Sequence, residues 1–230
     1  MPRLDRTSPL IAYVAPFAAF MLFLGLDSVI SSFGKESGIW WLATPKYWIF
    51  PLQTVVCAAL LLVFHKHYSF GSFRPWFWGV LWGIIALLVW ISPQVIFRMA
   101  YRTDGFNPEA FGTDSGIYWM MVIARFARLV IIVPLLEEIF WRGFLMRYLI
   151  KENFEKVPFG TFTPLSFFGV AGLFMLGHSM ADRPAAILTG VIFGYVAIKT
   201  KSLWACVIAH AVTNAGLGAY IMATRQWGFW

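Results

Sequence analysis

Seven long apolar runs occupy most of this 230-residue chain. They lie at roughly 9–30, 47–64, 77–97, 117–141, 164–180, 184–199 and 203–223. An α-helix of about 20 apolar residues crosses the hydrocarbon core of a bilayer, where the chain must satisfy its own backbone hydrogen bonds. The sequence therefore predicts an all-α fold, a polytopic transmembrane bundle of about seven to eight helices that forms a single integral membrane domain over residues 1–230.

The composition agrees with a membrane protein and argues against a nucleic-acid-binding one. Hydrophobic residues make up 60% of the chain and charged residues only 13%, whereas soluble domains are about 25% charged. The formal net charge is +7, but most Lys and Arg residues lie in short connections, where orientation and anionic lipid explain them. We expect the lipid bilayer as a partner and no nucleic acid. The oligomeric state stays open.

The distribution of basic residues over the connections predicts an orientation. With a cytoplasmic N-terminus, nine Lys and Arg residues fall inside and six outside, as the positive-inside rule favours. The inner set is Arg3, Arg6, Lys66, Arg74, Arg147, Lys151, Lys156, Lys199 and Lys201. We therefore expect a multi-pass protein of the cell inner (plasma) membrane, with the end of the fourth run near the cytoplasmic face.

Two carboxylates and a guanidinium lie at the end of the fourth apolar run, in the stretch PLLEEIFWRG. Ionisable groups inside membrane spans are costly and usually face the bundle interior, so each is a functional-site hypothesis. Glu138 and Arg142 are four residues apart, acid before base, which predicts a hydrogen-bonded pair on one helix. Glu137 is rotated by about 100° and has no such local partner. The spacing thus distinguishes a structural or assisting pair from a free acid.

Three more polar residues lie on the later apolar runs. His178 closes the segment FMLGH on the fifth run, and His210 and Asn214, in IAHAVTN, share one face of the last. With Glu137 they can converge on one pocket. There a carboxylate and an imidazole can activate a water, and a second His and an Asn amide can stabilise the oxyanion of a peptide carbonyl. The set indicates peptide hydrolysis without a cofactor.

Other readings of the same cluster stay open. Two histidines and a glutamate are ligand types that suit zinc with an open position for water, although the chain has no HExxH segment and Asn is a poor zinc ligand. A transporter, or a non-catalytic binding or immunity factor, can also use intramembrane polar groups for a proton, an ion or a peptide.

The remaining ionisable groups in the runs have simpler interpretations. Arg125 and Arg128 precede the glutamates by more than two turns, and we interpret them as snorkelling cations, lipid contacts or partners of acids such as Asp27. Cys57 and Cys206 lie within apolar runs, where a thiol behaves as a small hydrophobe. We predict neither a disulfide nor a zinc-thiolate site.

The three motifs resemble those of the CPBP family, the CAAX proteases and bacteriocin-processing enzymes, which includes the type II CAAX prenyl endopeptidase. EEIFWR is similar to an EExxxR box, FMLGH to an FxxxH box and HAVTN to an HxxxN box, in order over about residues 120–220. The first 115 residues or so match no motif. Their length and apolar start look like the bacterial CAAX-protease-related proteins associated with exosortase systems.

This resemblance implies a glutamate-dependent intramembrane endopeptidase that cleaves a membrane-associated peptide or protein tail, prenylated or not. It implies that Glu137 and His178 activate the water, and that His210 and Asn214 form the oxyanion site. Glu138 and Arg142 would be assisting or structural members of the first box.

Overall fold

Helices form over each of the seven apolar runs. The computed structural model describes residues 8–230, so Arg3 and Arg6 lie outside the described residues. Within this range there are eight helices and no strand: α1 Pro9–Gly34, α2 Trp40–Ala43, α3 Lys46–Val63, α4 Trp76–Val95, α5 Gly116–Tyr148, α6 Pro164–Leu176, α7 Arg183–Thr200 and α8 Leu203–Thr224. The predicted all-α helical bundle is confirmed.

Five of these helices are long and apolar enough to cross a membrane, namely α1, α3, α4, α5 and α8. The chain is therefore a multi-pass membrane protein. α6 has only 13 residues and ends at Leu176, before the predicted 180, because Gly177 and a polar turn follow it. α7 has 18 residues but includes Arg183 and Lys199, which lower its hydropathy.

Side-chain caps begin the three helices that carry the motifs. Ser115 accepts a hydrogen bond from the Tyr118 backbone N–H at the start of α5. Thr163 and Ser166 form a capping box at α6, and Ser202 caps α8. Each cap satisfies an N–H group that the first turn leaves free, so local sequence determines where these helices start.

α5 is continuous over 33 residues but is not a regular α-helix. Two π-helical segments, Arg128–Ile132 and Ile139–Leu145, flank the regular turns Val133–Glu138 that hold both glutamates. Pro134 has no N–H, so it cannot continue the α-helical pattern, and the Val133 N–H bonds to the Arg128 carbonyl instead. The helix continues to Tyr148, past the end of the fourth apolar run at residue 141.

α8 lies at the centre of the bundle, packed against α4, α5 and α7. It approaches α4 closely because Gly79 and Gly83 face it. A Cβ at either glycine would lie 2.6 Å from a carbonyl oxygen of α8, that of Ala205 or Ala209. Thr213 donates a hydrogen bond to the Gly83 carbonyl, 2.9 Å away. Small residues and one interhelical hydrogen bond thus hold α8 in register, as is common between membrane helices.

Candidate active site

One cavity of about 280 Å³ opens inside the bundle, between α1 and the helices α3 to α8. It has room for several waters, because a water occupies about 30 Å³ in the liquid. Glu137, His178, His210 and Asn214, the four residues that the sequence suggested for catalysis, all line it. Its other walls are largely aromatic and aliphatic, including Phe17, Phe20, Trp90, Trp141, Phe174, Phe193 and Trp230.

Glu138 is fully buried and anchors three helices. Its Oε1 accepts hydrogen bonds from Arg142 Nη1 at 2.9 Å and from His210 Nδ1 at 3.0 Å. Arg142 Nη2 in turn donates to the Gly190 carbonyl of α7 at 3.1 Å. The pair predicted from the i,i+4 spacing is therefore present. Sequence spacing did not show that His210 bonds to Glu138, 72 residues away, rather than to Asn214.

The hydrogen bond to Glu138 determines which ring nitrogen of His210 carries a hydrogen. An ionised carboxylate only accepts hydrogen bonds, so Nδ1 of His210 carries a proton toward Glu138. Nε2 remains for the cavity. In the neutral ring Nε2 is an acceptor, and it donates a hydrogen bond only when the ring is doubly protonated.

Glu137 occupies a different environment, although it is the next residue. Its side chain faces the cavity, with 9% of the residue exposed. Within residues 8–230, no protein group donates a hydrogen bond to its carboxylate at hydrogen-bonding distance. A buried carboxylate needs such donors, and in this position cavity water is the group that can supply them.

His178 lies in the turn just after α6 rather than on the helix itself. Its Nδ1 lies 2.8 Å from the Phe174 carbonyl, which can only accept, so Nδ1 carries a proton, and in the neutral ring Nε2 is then an acceptor. The ring packs against Phe174 and Trp90, with centroid distances of 4.6 and 5.6 Å. These contacts orient a potential proton acceptor at the edge of the cavity.

Asn214 connects α8 to the first π-helical segment of α5. Its Nδ2 donates to the Leu129 carbonyl at 2.8 Å. That carbonyl loses its α-helical partner because the Val133 N–H bonds to Arg128, and the next residue, Pro134, has no N–H. Asn214 therefore satisfies an otherwise unpaired backbone group. Its amide has a second hydrogen that is not used in this contact.

Two arginines that we interpreted as snorkelling cations, lipid contacts or partners of acids such as Asp27 also line the cavity. Arg125 is 4% exposed and Arg128 is 6% exposed, so neither snorkels to the membrane surface, and that alternative is wrong. Arg128 Nε donates to Gln53 Oε1 at 2.8 Å, and Gln53 Nε2 donates to the Phe20 carbonyl at 2.7 Å. Their location on the same helix as Glu137 was the available signal, because intramembrane charges usually face the interior.

Potential metal ligands are separated in the described part of the chain. Within residues 8–230, no three His, Cys, Asp or Glu side chains are grouped closely enough to hold a metal ion. Cys57 and Cys206 are both buried and free.

Comparison with protein families identifies the segment that carries the site. Residues 119–216 match the family described as type II CAAX prenyl endopeptidase Rce1-like. The match runs from the first turns of α5 into α8, covers less than half of the chain and includes all seven fixed residues of the three motifs. Comparison with curated proteins and with solved structures gave no match. The family resemblance drawn from the three motifs is confirmed, and the family implies a CAAX-type endopeptidase, a hydrolase.

Proposed function

We propose that this chain is a glutamate-dependent intramembrane endopeptidase that hydrolyses a peptide bond of a membrane-associated peptide or protein tail. One observation carries the proposal: Glu137, a carboxylate with no protein donor among residues 8–230, shares an internal cavity with two imidazoles and an amide. The family match to residues 119–216 supports the same class of reaction.

Glu137 and His178 would activate the attacking water. The Glu137 carboxylate can accept a hydrogen bond from a cavity water and remove its proton as the water attacks the carbonyl carbon. His178 has Nδ1 engaged with Phe174, so Nε2 is the nitrogen available to that water. Positioned general bases of this kind contribute about 10²–10⁴-fold to a rate.

His210 and Asn214 would stabilise the oxyanion that forms on the peptide carbonyl. Asn214 would use its second amide hydrogen, because the first is engaged with Leu129. His210 would use an Nε2–H, which requires the doubly protonated ring, because Nδ1 already donates to Glu138. Loss of one such donor costs about 2.7–4 kcal/mol in transition-state stabilisation.

Glu138 and Arg142 would position this apparatus rather than react. Glu138 holds Nδ1 of His210, and Arg142 compensates the Glu138 charge while bonding to α7. Because both side chains are fully enclosed, neither is accessible to a peptide.

The test is cleavage of a fluorogenic, lipid-anchored peptide by the purified full-length protein in nanodiscs. We expect Glu137→Gln and His178→Ala each to lower kcat at least about 100-fold. Glu36→Gln, which removes an exposed carboxylate beyond the end of α1, is the matched control and should cleave at the wild-type rate. Equal rates for Glu137→Gln and wild type would contradict the assignment.

The same assay addresses the two alternatives. The metal-dependent version predicts loss of activity in EDTA and recovery on adding zinc, whereas the glutamate mechanism predicts unchanged rates. A binding or immunity factor predicts that the wild-type protein retains the labelled peptide but releases no product.

A further inference from the structure

Two buried polar atoms in the wall of the cavity take no part in the chemistry described above. They are Nε1 of Trp141 on α5 and Oγ1 of Thr189 on α7. Trp141 is 7% exposed and Thr189 is 1% exposed. Neither atom has a hydrogen-bond partner among residues 8–230. Because a buried polar group that makes no hydrogen bond costs free energy, each atom is suited to a partner that enters the cavity.

Thr189 differs from the other threonines in the described helices. There are five such threonines, and four of them donate a hydrogen bond to the carbonyl four residues earlier, at 2.7–2.9 Å. These four are Thr54, Thr200, Thr213 and Thr224. Such a bond is the usual way in which a threonine inside a helix satisfies its hydroxyl. Thr189 does not make it, so its hydroxyl is available to a group in the cavity.

Trp141 lies one helical turn from Glu137. The two residues are four positions apart on α5, which makes them neighbours on the helix surface, and both line the cavity. The indole packs edge-on against Phe17 and Phe174, with ring centroids 5.1 and 5.9 Å away, so packing orients the ring. An indole N–H can only donate a hydrogen bond. The partner of Trp141 must therefore offer an acceptor close to Glu137.

We propose that Trp141 Nε1 and Thr189 Oγ1 bind the main chain of the substrate peptide next to the scissile bond. A peptide group supplies a carbonyl for the indole N–H, and the Thr189 hydroxyl can pair with either a carbonyl or an N–H. A neutral peptide group also suits the largely aromatic walls, because burial of a charge is more costly. The two side chains position the substrate and do not react with it. This inference rests on the proposed endopeptidase function.

The test measures peptide binding in a Glu137→Gln background, so that cleavage does not consume the ligand. The probe is a fluorescein-labelled version of the lipid-anchored peptide used for cleavage. Thr189→Val replaces the hydroxyl with a methyl group, and Trp141→Phe removes the indole N–H. Because one hydrogen bond contributes modestly to affinity, we expect each change to raise the Kd about three- to tenfold. Thr189→Ser restores a hydroxyl and should return the Kd to the parent value.

Matched variants elsewhere in the bundle control for the loss of the atom itself. Trp82 Nε1 is also buried without a partner in the described part of the chain, but Trp82 does not line the cavity. Thr200 carries a hydroxyl on the same helix as Thr189, also away from the cavity. Trp82→Phe and Thr200→Val should therefore bind the peptide as the parent does. Thr189→Val should unfold at the same SDS fraction as the parent or at a higher one, because it removes no hydrogen bond among residues 8–230.

Several results would overturn the main-chain contact. Unchanged affinity in Thr189→Val and Trp141→Phe would leave cavity water as the partner of both atoms. Weak binding that Thr189→Ser does not restore, an equal loss in Trp82→Phe, or no peptide binding by the parent would also contradict the contact.

Cleavage by the protein with Glu137 intact is measured separately. Contacts to the main chain act on the ground state and the transition state alike, so Thr189→Val and Trp141→Phe should raise KM and change kcat little. Cleavage with an unchanged KM in both variants would contradict only the main-chain contact. Peptide binding that depends on Thr189, without any cleavage, would contradict only the endopeptidase.

Discussion

At the scale of single residues, the adjacent glutamates Glu137 and Glu138 of α5 lie in opposite environments. Glu138 has its charge compensated by Arg142, and the same oxygen, Oε1, also accepts a hydrogen bond from His210. Glu137, one residue earlier, faces the cavity with no protein donor among the described residues. Buried charges that are paired stabilise a fold only as long as both partners remain. The same burial without a partner leaves a group available for ligand or water.

Replacement of Arg142 and of Arg125 should change the free energy of unfolding by different amounts. Arg142→Met leaves the Glu138 carboxylate enclosed without its guanidinium, so we expect the free energy of unfolding to fall by about 3–5 kcal/mol. Arg125→Met removes a charge that forms no ion pair within the described residues, and the lost cation–π contacts with three aromatic rings are worth only about 2 kcal/mol. We expect the free energy of unfolding of Arg125→Met to stay within about 2 kcal/mol of the wild-type value, or to rise.

Unfolding of the detergent-solubilised protein by SDS, followed by circular dichroism, measures both changes. Arg74→Met is the control for removing an exposed arginine. An equally large loss for Arg125→Met and Arg142→Met would show that Arg125 has a stabilising partner within the protein.

At the scale of helices, the π-helical segments of α5 connect local sequence to the site. Pro134 interrupts the hydrogen-bond pattern one turn before the glutamates, and Asn214 of α8 bonds to the Leu129 carbonyl that is left over. A residue suggested for oxyanion binding therefore also joins two helices. The proline and the asparagine form one unit although they are 80 residues apart in sequence.

This unit predicts energetic coupling between Pro134 and Asn214. Asn214→Leu removes the donor to Leu129, and an unsatisfied buried carbonyl costs about 1–3 kcal/mol. Pro134→Ala supplies an N–H five residues after Leu129, which can serve as an alternative donor. We expect Asn214→Leu to cost less in the Pro134→Ala background than alone. A double-mutant cycle measures this interaction, and strictly additive losses would contradict it.

At the scale of the whole molecule, the bilayer explains what the sequence could predict. Because lipid requires helices of a definite length, the apolar runs predicted seven of the helices. The i,i+4 spacing of Glu138 and Arg142 predicted their hydrogen bond. Contacts between helices depend on how the helices pack, and the spacing of apolar residues along one helix does not show this. The sequence therefore did not predict the Glu138–His210 bond, the end of α6 before His178, or the burial of Arg125 and Arg128.

The orientation in the membrane follows from the same basic residues and stays a prediction. The connection between α5 and α6 contains Lys151 and Lys156, and the positive-inside rule places it in the cytoplasm. The connection after α1 then lies outside. Single cysteines introduced as Glu155→Cys and Glu36→Cys test this directly, because the native Cys57 and Cys206 are buried. In intact cells a membrane-impermeant maleimide should label only Glu36→Cys, and it should label both after the cells are opened. Labelling of Glu155→Cys alone in intact cells would reverse the topology and place the α5 glutamates nearer the outer face.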